Sequence, residues 1–310
     1  MPNQKGATNQ PSALKEGDKA EETLESLLAR LEGLSVEGER SPSALFSEKS
    51  VRNLVSSLES DMLSGNFLTT NYSSTDLTMM SAFVKKANER YEYMNLKFFQ
   101  DPGDFAALIK EGIEKGVQFS RSIICLQNPE IHFAVIDHRA IGSQTSLILF
   151  ESTKFSNPNA AELFAVQKSA LEAIALPDCH FVGAEMDIQG FSSASGVASL
   201  ALAKKLCKQS EKILKMHRDN VKGLLCDKGA FVPCDQVDGY LPIDFYKHVY
   251  SEKRLAEYVE KNPESAHQIV NKKGENVFNR AERNLALVEG KPVSISLHKK
   301  RINESKSLMR

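Results

Sequence analysis

Ile131-His132-Phe133-Ala134-Val135-Ile136-Asp137-His138-Arg139, followed by Thr145-Ser146-Leu147-Ile148-Leu149-Phe150-Glu151, is the stretch whose reading decides the fold. The first run alternates as a strand and the second is a short apolar strand. Ala140-Ile141-Gly142-Ser143 between them reads as a turn, so the two form a hairpin. His132 lies on the first strand and Glu151 ends the second, which lets them face each other across the hairpin. Downstream, His180–Ile188 reads as another strand that runs into Gln189. Ser192-Ser193-Ala194 then leads into a long predicted helix from Ser195 to Leu225, with Leu200, Leu206, Ile213 and Leu214 among its apolar positions.

These residues supply the parts of an acyl-transfer site. Such a site needs a nucleophile, a base within hydrogen-bond reach, an acid to orient the base, and donors for the oxyanion. His132 is the candidate base and Glu151 the acid that holds its tautomer. Ser195 opens a helix, where backbone N–H groups favour a developing anion. Gln189 offers a side-chain amide to complete the oxyanion hole. Taken singly each signal is weak, because a strand histidine is usually structural and a serine at a helix start is usually a cap. Their order carries more: His on a strand, acid on the next, Gln, then a nucleophile opening a helix. That order resembles papain-clan enzymes of the adenoviral and ubiquitin-like protease type.

Outward from this centre, Val51, Leu54, Val55, Leu58 and Met62 recur at helical spacing. A second helix is predicted over Thr75–Tyr91, a strand at Asn95–Phe99, a helix near Asp104–Lys115 and a strand over Val117–Leu126. Asn159–Ala175 reads as helix. Toward the C-terminus, Ser251–Lys261 is predicted helical, and Val277–Phe278 and Pro292–Leu297 are read as strands. Met1–Ser43 is polar and reads as disordered, with one short amphipathic helix carrying Leu24, Leu27, Leu28, Leu31 and Leu34 that would suit a secretion chaperone or its own domain.

Composition narrows the class. The 310-residue chain has 39 Lys+Arg against 40 Asp+Glu, which argues against a general nucleic-acid binder. Its five cysteines form no CxxC pair, so reduced thiols fit better than a disulfide frame or a zinc site. No apolar run is long enough to span a membrane, and the polar N-terminus has no Sec-type signal.

Longer motifs now carry a family resemblance. Ile131-His132 through Asp137, Thr145 through Glu151, Leu176-Pro177-Asp178-Cys179-His180-Phe181 and Glu185-Met186-Asp187-Ile188-Gln189 resemble the YopJ/AvrA family of type III secreted acetyltransferases. So do Ser199 through Leu206, Tyr240-Leu241-Pro242, Phe245-Tyr246-Lys247-His248, Val270-Asn271-Lys272-Lys273 and His298-Lys299-Lys300-Arg301-Ile302. The resemblance covers roughly residues 50–308. It implies an α+β papain-clan catalytic domain with an added helical-plus-strand regulatory layer. The expected organisation is a secretion segment at 1–45, a helical regulatory segment at 46–116, a catalytic core at 117–235 and a C-terminal regulatory segment at 236–310.

By resemblance, His132 matches the base, Glu151 the acid and Gln189 the oxyanion glutamine. The family's nucleophile is a cysteine followed by glycine, preceded by glutamate; here the positions hold Ala194, Ser195 and Gly196. The implied activity takes acetyl from acetyl-coenzyme A onto the nucleophile and passes it to Ser, Thr or Lys of host signalling proteins such as MAP kinase kinases. Delivery into the host cytoplasm and activation by inositol hexakisphosphate are implied too. Lys247, His298, Lys299, Lys300 and Arg301 are the expected polyphosphate residues, with Lys272 and Lys273 as contributors. Because a hydroxyl is far less acidic than a thiol, three readings of Ser195 stand open: a slow serine enzyme, an inactive relative that binds host kinases, or an engineered loss of cysteine. A ubiquitin-like-specific protease is the alternative from the shared order of residues.

Overall fold

The computed structural model describes residues 47–190 and 192–310. The expected secretion segment and its leucine helix lie outside them. The chain enters at α1 (Glu48–Ser64), where the Ser47 side chain accepts from the Ser50 N–H and the stripe Val51, Leu54, Val55 and Leu58 is buried. Helix α2 (Ser73–Arg90) follows, then β1 (Leu96–Phe99) and α3 (Pro102–Glu114). Asp101 caps α3 and Pro102 occupies its first turn, where a missing N–H costs nothing.

The central strands are β2 (Phe119–Leu126), β3 (His132–Ile141), β4 (Gln144–Glu151) and β5 (Cys179–Glu185), with α4 (Pro158–Ala173) crossing between the last two. A short β6 (Phe231–Val232) completes a six-stranded sheet in the order β1 to β6. Strands β2–β3 and β3–β4 pair antiparallel, while β1–β2, β4–β5 and β5–β6 pair parallel. The predicted hairpin is present, its turn reduced to Gly142-Ser143 with Gly142 at φ +63°. Alternate residues of the hairpin feed two cores. Phe133, Val135, Ile148 and Phe150 join a large core with α1, α2 and the helix that starts at Ser195. Ala134, Ile136, Leu147 and Leu149 pack with α3 and α4. The mixed α+β architecture expected from the sequence is the one observed.

The predicted 195–225 helix is two helices, α5 (Ser195–Lys208) and α6 (Leu214–Val221). The apolar spacing hid the break because Ile213 beside the turn is as buried as the helical leucines. Restarting the helix lets α6 aim His217 and Asn220 at Ser146 on β4. After α7 (Cys234–Val237) and α8 (Glu252–Lys261), the predicted strand at Val277–Phe278 is instead the start of α9 (Val277–Arg283), capped by Asn276. Two residues are too few to distinguish periods. A hairpin of β7 (Leu285–Val288) and β8 (Lys291–Ser294) follows, and the basic tail is α10 (Ser296–Ser307). Helix α10 packs against α1, α2 and α5, forming one layer with them.

Candidate active site

His132 begins β3 and Glu151 ends β4, so both stand at the same end of the hairpin. They are not cross-strand partners: Val135 pairs Phe150, which places Ala134 opposite Glu151 and makes the approach of His132 diagonal. His132 Nε2 lies 2.9 Å from Glu151 Oε2. The other oxygen, Oε1, accepts the Thr153 N–H at 3.0 Å. Both side chains are buried. Burial alone would push the His132 pKa down. The charge and hydrogen bond of Glu151, aided by the charge of Glu130, outweigh it and hold the imidazole above its usual value. With Nε2 given to Glu151, Nδ1 is the nitrogen left for a nucleophile.

Ser195 is the first residue of α5, and α5 packs against β3. Its Oγ accepts the Phe133 N–H at 3.3 Å, which sets the hydroxyl on the backbone one residue from His132. Among the described residues no hydrogen bond joins Ser195 to His132. Ser195 is fully buried. Gln189 follows β5, and its Oε1 accepts from the Ser152 hydroxyl at 2.6 Å. A cleft of about 340 Å³ opens beside these groups, lined by His132 and Gln189, with Thr69, Thr70, Asn71, Asn157 and Asn159 among the polar neutral residues on its walls. Among the described residues Glu130 is its one carboxylate.

The far end of the hairpin holds a second polar cluster. Asp137 Oδ2 lies 3.0 Å from His217 Nε2 and 3.1 Å from Arg139 Nε, and Oδ1 lies 3.0 Å from Arg121 Nε. His217 Nδ1 contacts Ser146 Oγ at 2.8 Å. The order Ser–His–Asp is that of a hydrolase relay, but all three are completely buried. The cluster joins β3, β4 and α6 as packing.

The expected polyphosphate residues divide. His298 is buried between the Phe67 and Tyr72 rings and donates to the Leu58 carbonyl at 2.8 Å. Arg301 is also buried, bound to Asp76 and to the Ser193 carbonyl. Lys247 pairs with Asp244. Lys299 and Lys300 are half-buried. Lys299 is pushed below the usual lysine range by partial burial and then by the cations of Arg283, Arg280 and Lys273. Arg280 is lowered first by burial, then by Arg283. Burial drives His248 down, and its cationic neighbours Arg280, Lys300, Lys205 and Lys247 add to the effect. Arg280, Arg283 and Lys205 thus neighbour the sequence-predicted cations, Arg283 paired with Glu275 and Lys205 with Asp244.

No cluster of His, Cys, Asp or Glu among the described residues could hold a metal ion, and none of their helices is long and apolar enough to cross a membrane. All five cysteines are free.

Fold and site together define a papain-type α+β scaffold, with a buried His–carboxylate pair on a central hairpin and a side-chain hydroxyl at the start of a buried helix. The chain belongs to the YopJ serine/threonine acetyltransferase family, whose model matches residues 51–307. The serine/threonine-protein acetyltransferase YopJ of Yersinia pestis is 45% identical over 272 residues, spanning 88% of this chain and 94% of that protein. YopJ of Yersinia pseudotuberculosis matches over the same length at the same identity. Among solved structures, a deletion variant of AvrA with IP6 and CoA superposes with a TM-score of 0.82 at 41% identity, covering 86% of this chain and 99% of that one. HopZ1a in complex with IP6 superposes at 0.69 with 19% identity, over 91% and 97% of the two chains, a likeness of fold alone. The resemblance read from the sequence motifs is thereby borne out.

Proposed function

We propose that this chain is a type III secreted effector that transfers acetyl from acetyl-CoA to hydroxyl or amino groups of host signalling proteins, MAP kinase kinases among them, after delivery to the host cytoplasm. The observation that carries the reading is the buried His132–Glu151 pair at 2.9 Å, with the Ser195 hydroxyl on the adjacent backbone N–H. Its 45% identity to acetyltransferases over 88% of the chain supports the choice of acyl group.

In the first half-reaction Ser195 Oγ attacks the thioester carbonyl while His132 Nδ1 takes the hydroxyl proton. Glu151 stabilises the imidazolium that forms. The oxyanion is met by the Gln189 amide. The C–S bond breaks, the CoA sulfur receives the proton from His132, and acetyl remains as an ester on Ser195. In the second half His132 removes the acceptor's proton, the acceptor takes the acetyl group, and Ser195 Oγ recovers a proton. Moving acetyl from a thioester to an oxyester is downhill, so the serine blocks neither step energetically; the cost lies in alignment.

A specific observation favours a second reading, an inactive relative that binds the same targets. Ser195 is fully buried and its Oγ accepts from Phe133 rather than bonding His132.

Crowding of Lys273, Arg280, Arg283 and Lys299 supports an inositol hexakisphosphate activator site, because like charges held together are relieved by a polyanion. Lys299 and Lys300, with Arg280 and Arg283, fit that ligand by charge and donor count. His298 and Arg301 would act beneath it.

The test is incubation of the native chain, Ser195→Cys and His132→Ala with radiolabelled acetyl-CoA, inositol hexakisphosphate and a host MAP kinase kinase. Labelling by the native chain that is lost in His132→Ala supports the serine enzyme. Labelling by Ser195→Cys alone supports the inactive relative. No labelling by any variant, with cleavage of a ubiquitin-like conjugate instead, overturns both.

A further inference from the structure

We infer that the buried Asp76–Arg301 pair is a positioning device that sets the start of the nucleophile helix and ties it to the C-terminal helix. This rests on reading Ser195 as the nucleophile position. Helix α5 begins without a side-chain cap of its own, since its cap residue is Ala194. The missing acceptor comes from another helix: Asp76 of α2 takes the Val197 N–H on Oδ2 at 3.1 Å. A carboxylate at that end also suits the helix dipole. The approach is close enough to require Gly196, where a Cβ would stand 2.6 Å from Asp76 Cβ and 2.7 Å from its Oδ2.

Arg301 of α10 then locks Asp76. Its Nε donates to Oδ1 at 2.8 Å and its Nη2 to Oδ2 at 2.9 Å. The same Nη2 donates to the Ser193 carbonyl at 2.7 Å, on the turn just before Ser195. The guanidinium lies over the Tyr72 ring, 4.6 Å from its centroid. Asp76 and Arg301 are 1% and 3% exposed, so neither charge has water to fall back on, and each depends on the other. Three separate stretches of chain meet here: α2, α10 and the turn at Ser193. Arg301 holds the residue two before Ser195 and Asp76 the residue two after it. The Ser195 side chain is thereby held on the Phe133 N–H from both flanks. Lys299, two residues before Arg301 on α10, belongs to the crowded cationic face, so ordering that face would be transmitted to the nucleophile through this pair.

The test uses the full chain carrying Ser195→Cys, with the rate of iodoacetamide alkylation at position 195 followed by peptide mass spectrometry across about pH 5 to 9. Asp76→Asn and Arg301→Lys are each added to that background. Arg121→Lys, at a buried arginine of β2 whose Nη2 donates to the Leu206 carbonyl near the far end of the same helix, serves as the stability control. The expected result is a parent midpoint below the ordinary thiol value of about 8.5. It should rise toward that value in Asp76→Asn and Arg301→Lys, with alkylation near neutral pH falling about tenfold. The midpoint should stay in place in Arg121→Lys even if its Tm falls further. A parent thiol with an ordinary midpoint overturns the inference, as does an unchanged midpoint in both variants or an equal shift in Arg121→Lys. Alkylation needs no acetyl transfer, so an inactive enzyme does not obscure the outcome.

Discussion

Replacing Glu151 by glutamine should disable the histidine through its tautomer, and the structure dictates which way the amide turns. Glu151 Oε1 accepts the Thr153 N–H at 3.0 Å, while Oε2 faces His132 Nε2 at 2.9 Å. A glutamine amide has one acceptor and one donor end. Placing NH₂ against the Thr153 N–H would set donor against donor in a fully buried site, at a cost of roughly 1–3 kcal/mol for the unsatisfied groups. The carbonyl therefore keeps the Thr153 bond and the NH₂ faces Nε2. Nε2 must then accept, the ring proton moves to Nδ1, and the nitrogen needed as base is protonated. The comparable loss of the orienting carboxylate in triad hydrolases costs about 10⁴-fold; a range of about 10³ to 10⁴ corresponds to roughly 4–5.5 kcal/mol of transition-state stabilisation. The assay is the initial burst of CoA release from acetyl-CoA, in the native chain and in Ser195→Cys, paired with imidazole nitrogen NMR of His132. The NMR should show the ring proton moving to Nδ1 and the pKa falling, because the charge that raised it is gone. A variant that keeps more than about a tenth of the parent burst, or one whose Nδ1 stays unprotonated, would falsify this account of the pair.

Three further outcomes follow from other parts of the molecule. Asp137→Asn leaves the buried guanidiniums of Arg121 and Arg139 without their carboxylate, so stability in urea should fall by roughly 3–5 kcal/mol; a loss under about 1 kcal/mol would mean that the hydrogen bonds of Arg121 to the Tyr93 and Met94 carbonyls suffice. Burial holds His217 and His248 below the usual histidine value and pushes His138 to about 4. The unfolded chain thus binds more protons, and stability contributed by these groups is present above the ordinary value of about 6.5 and lost as pH falls toward their folded values. Thermal melts from about pH 7 to 5 check this, and a Tm that rises on acidification contradicts it. Arg280→Ala with Lys299→Ala should weaken inositol hexakisphosphate binding at least tenfold and flatten its salt dependence in calorimetry, whereas unchanged binding would move the ligand off this face.

Strand and helix positions around the hairpin were legible because their apolar periods are long. Val51 to Leu58 and Phe133 to Phe150 repeat often enough to separate period 3.6 from period 2. The break between α5 and α6 was not legible, since Ile213 is buried in a turn and kept the helical spacing going. Helix α9 is hidden in the sequence for the opposite reason, a two-residue apolar run with no period at all. Order along the chain and family motifs point to His132, Glu151, Gln189 and Ser195. Their order could not reveal that Ser195 Oγ rests on the Phe133 N–H.

Charge counting had a similar limit. His298-Lys299-Lys300-Arg301 reads as one basic patch, yet a helix turns successive residues through about 100°. Two of the four therefore face inward and are buried, and two stay partly in solvent. By itself the sequence determined the family, the mixed α+β class and the residue types at the site, because motifs and periodicity are local properties of the chain. Only the tertiary structure decided which cation braces the turn before Ser195 and which ones crowd the surface. Asp76, the Ser193–Val197 stretch and Arg301 are far apart in the chain, and their contact exists only where α2, α5 and α10 pack together.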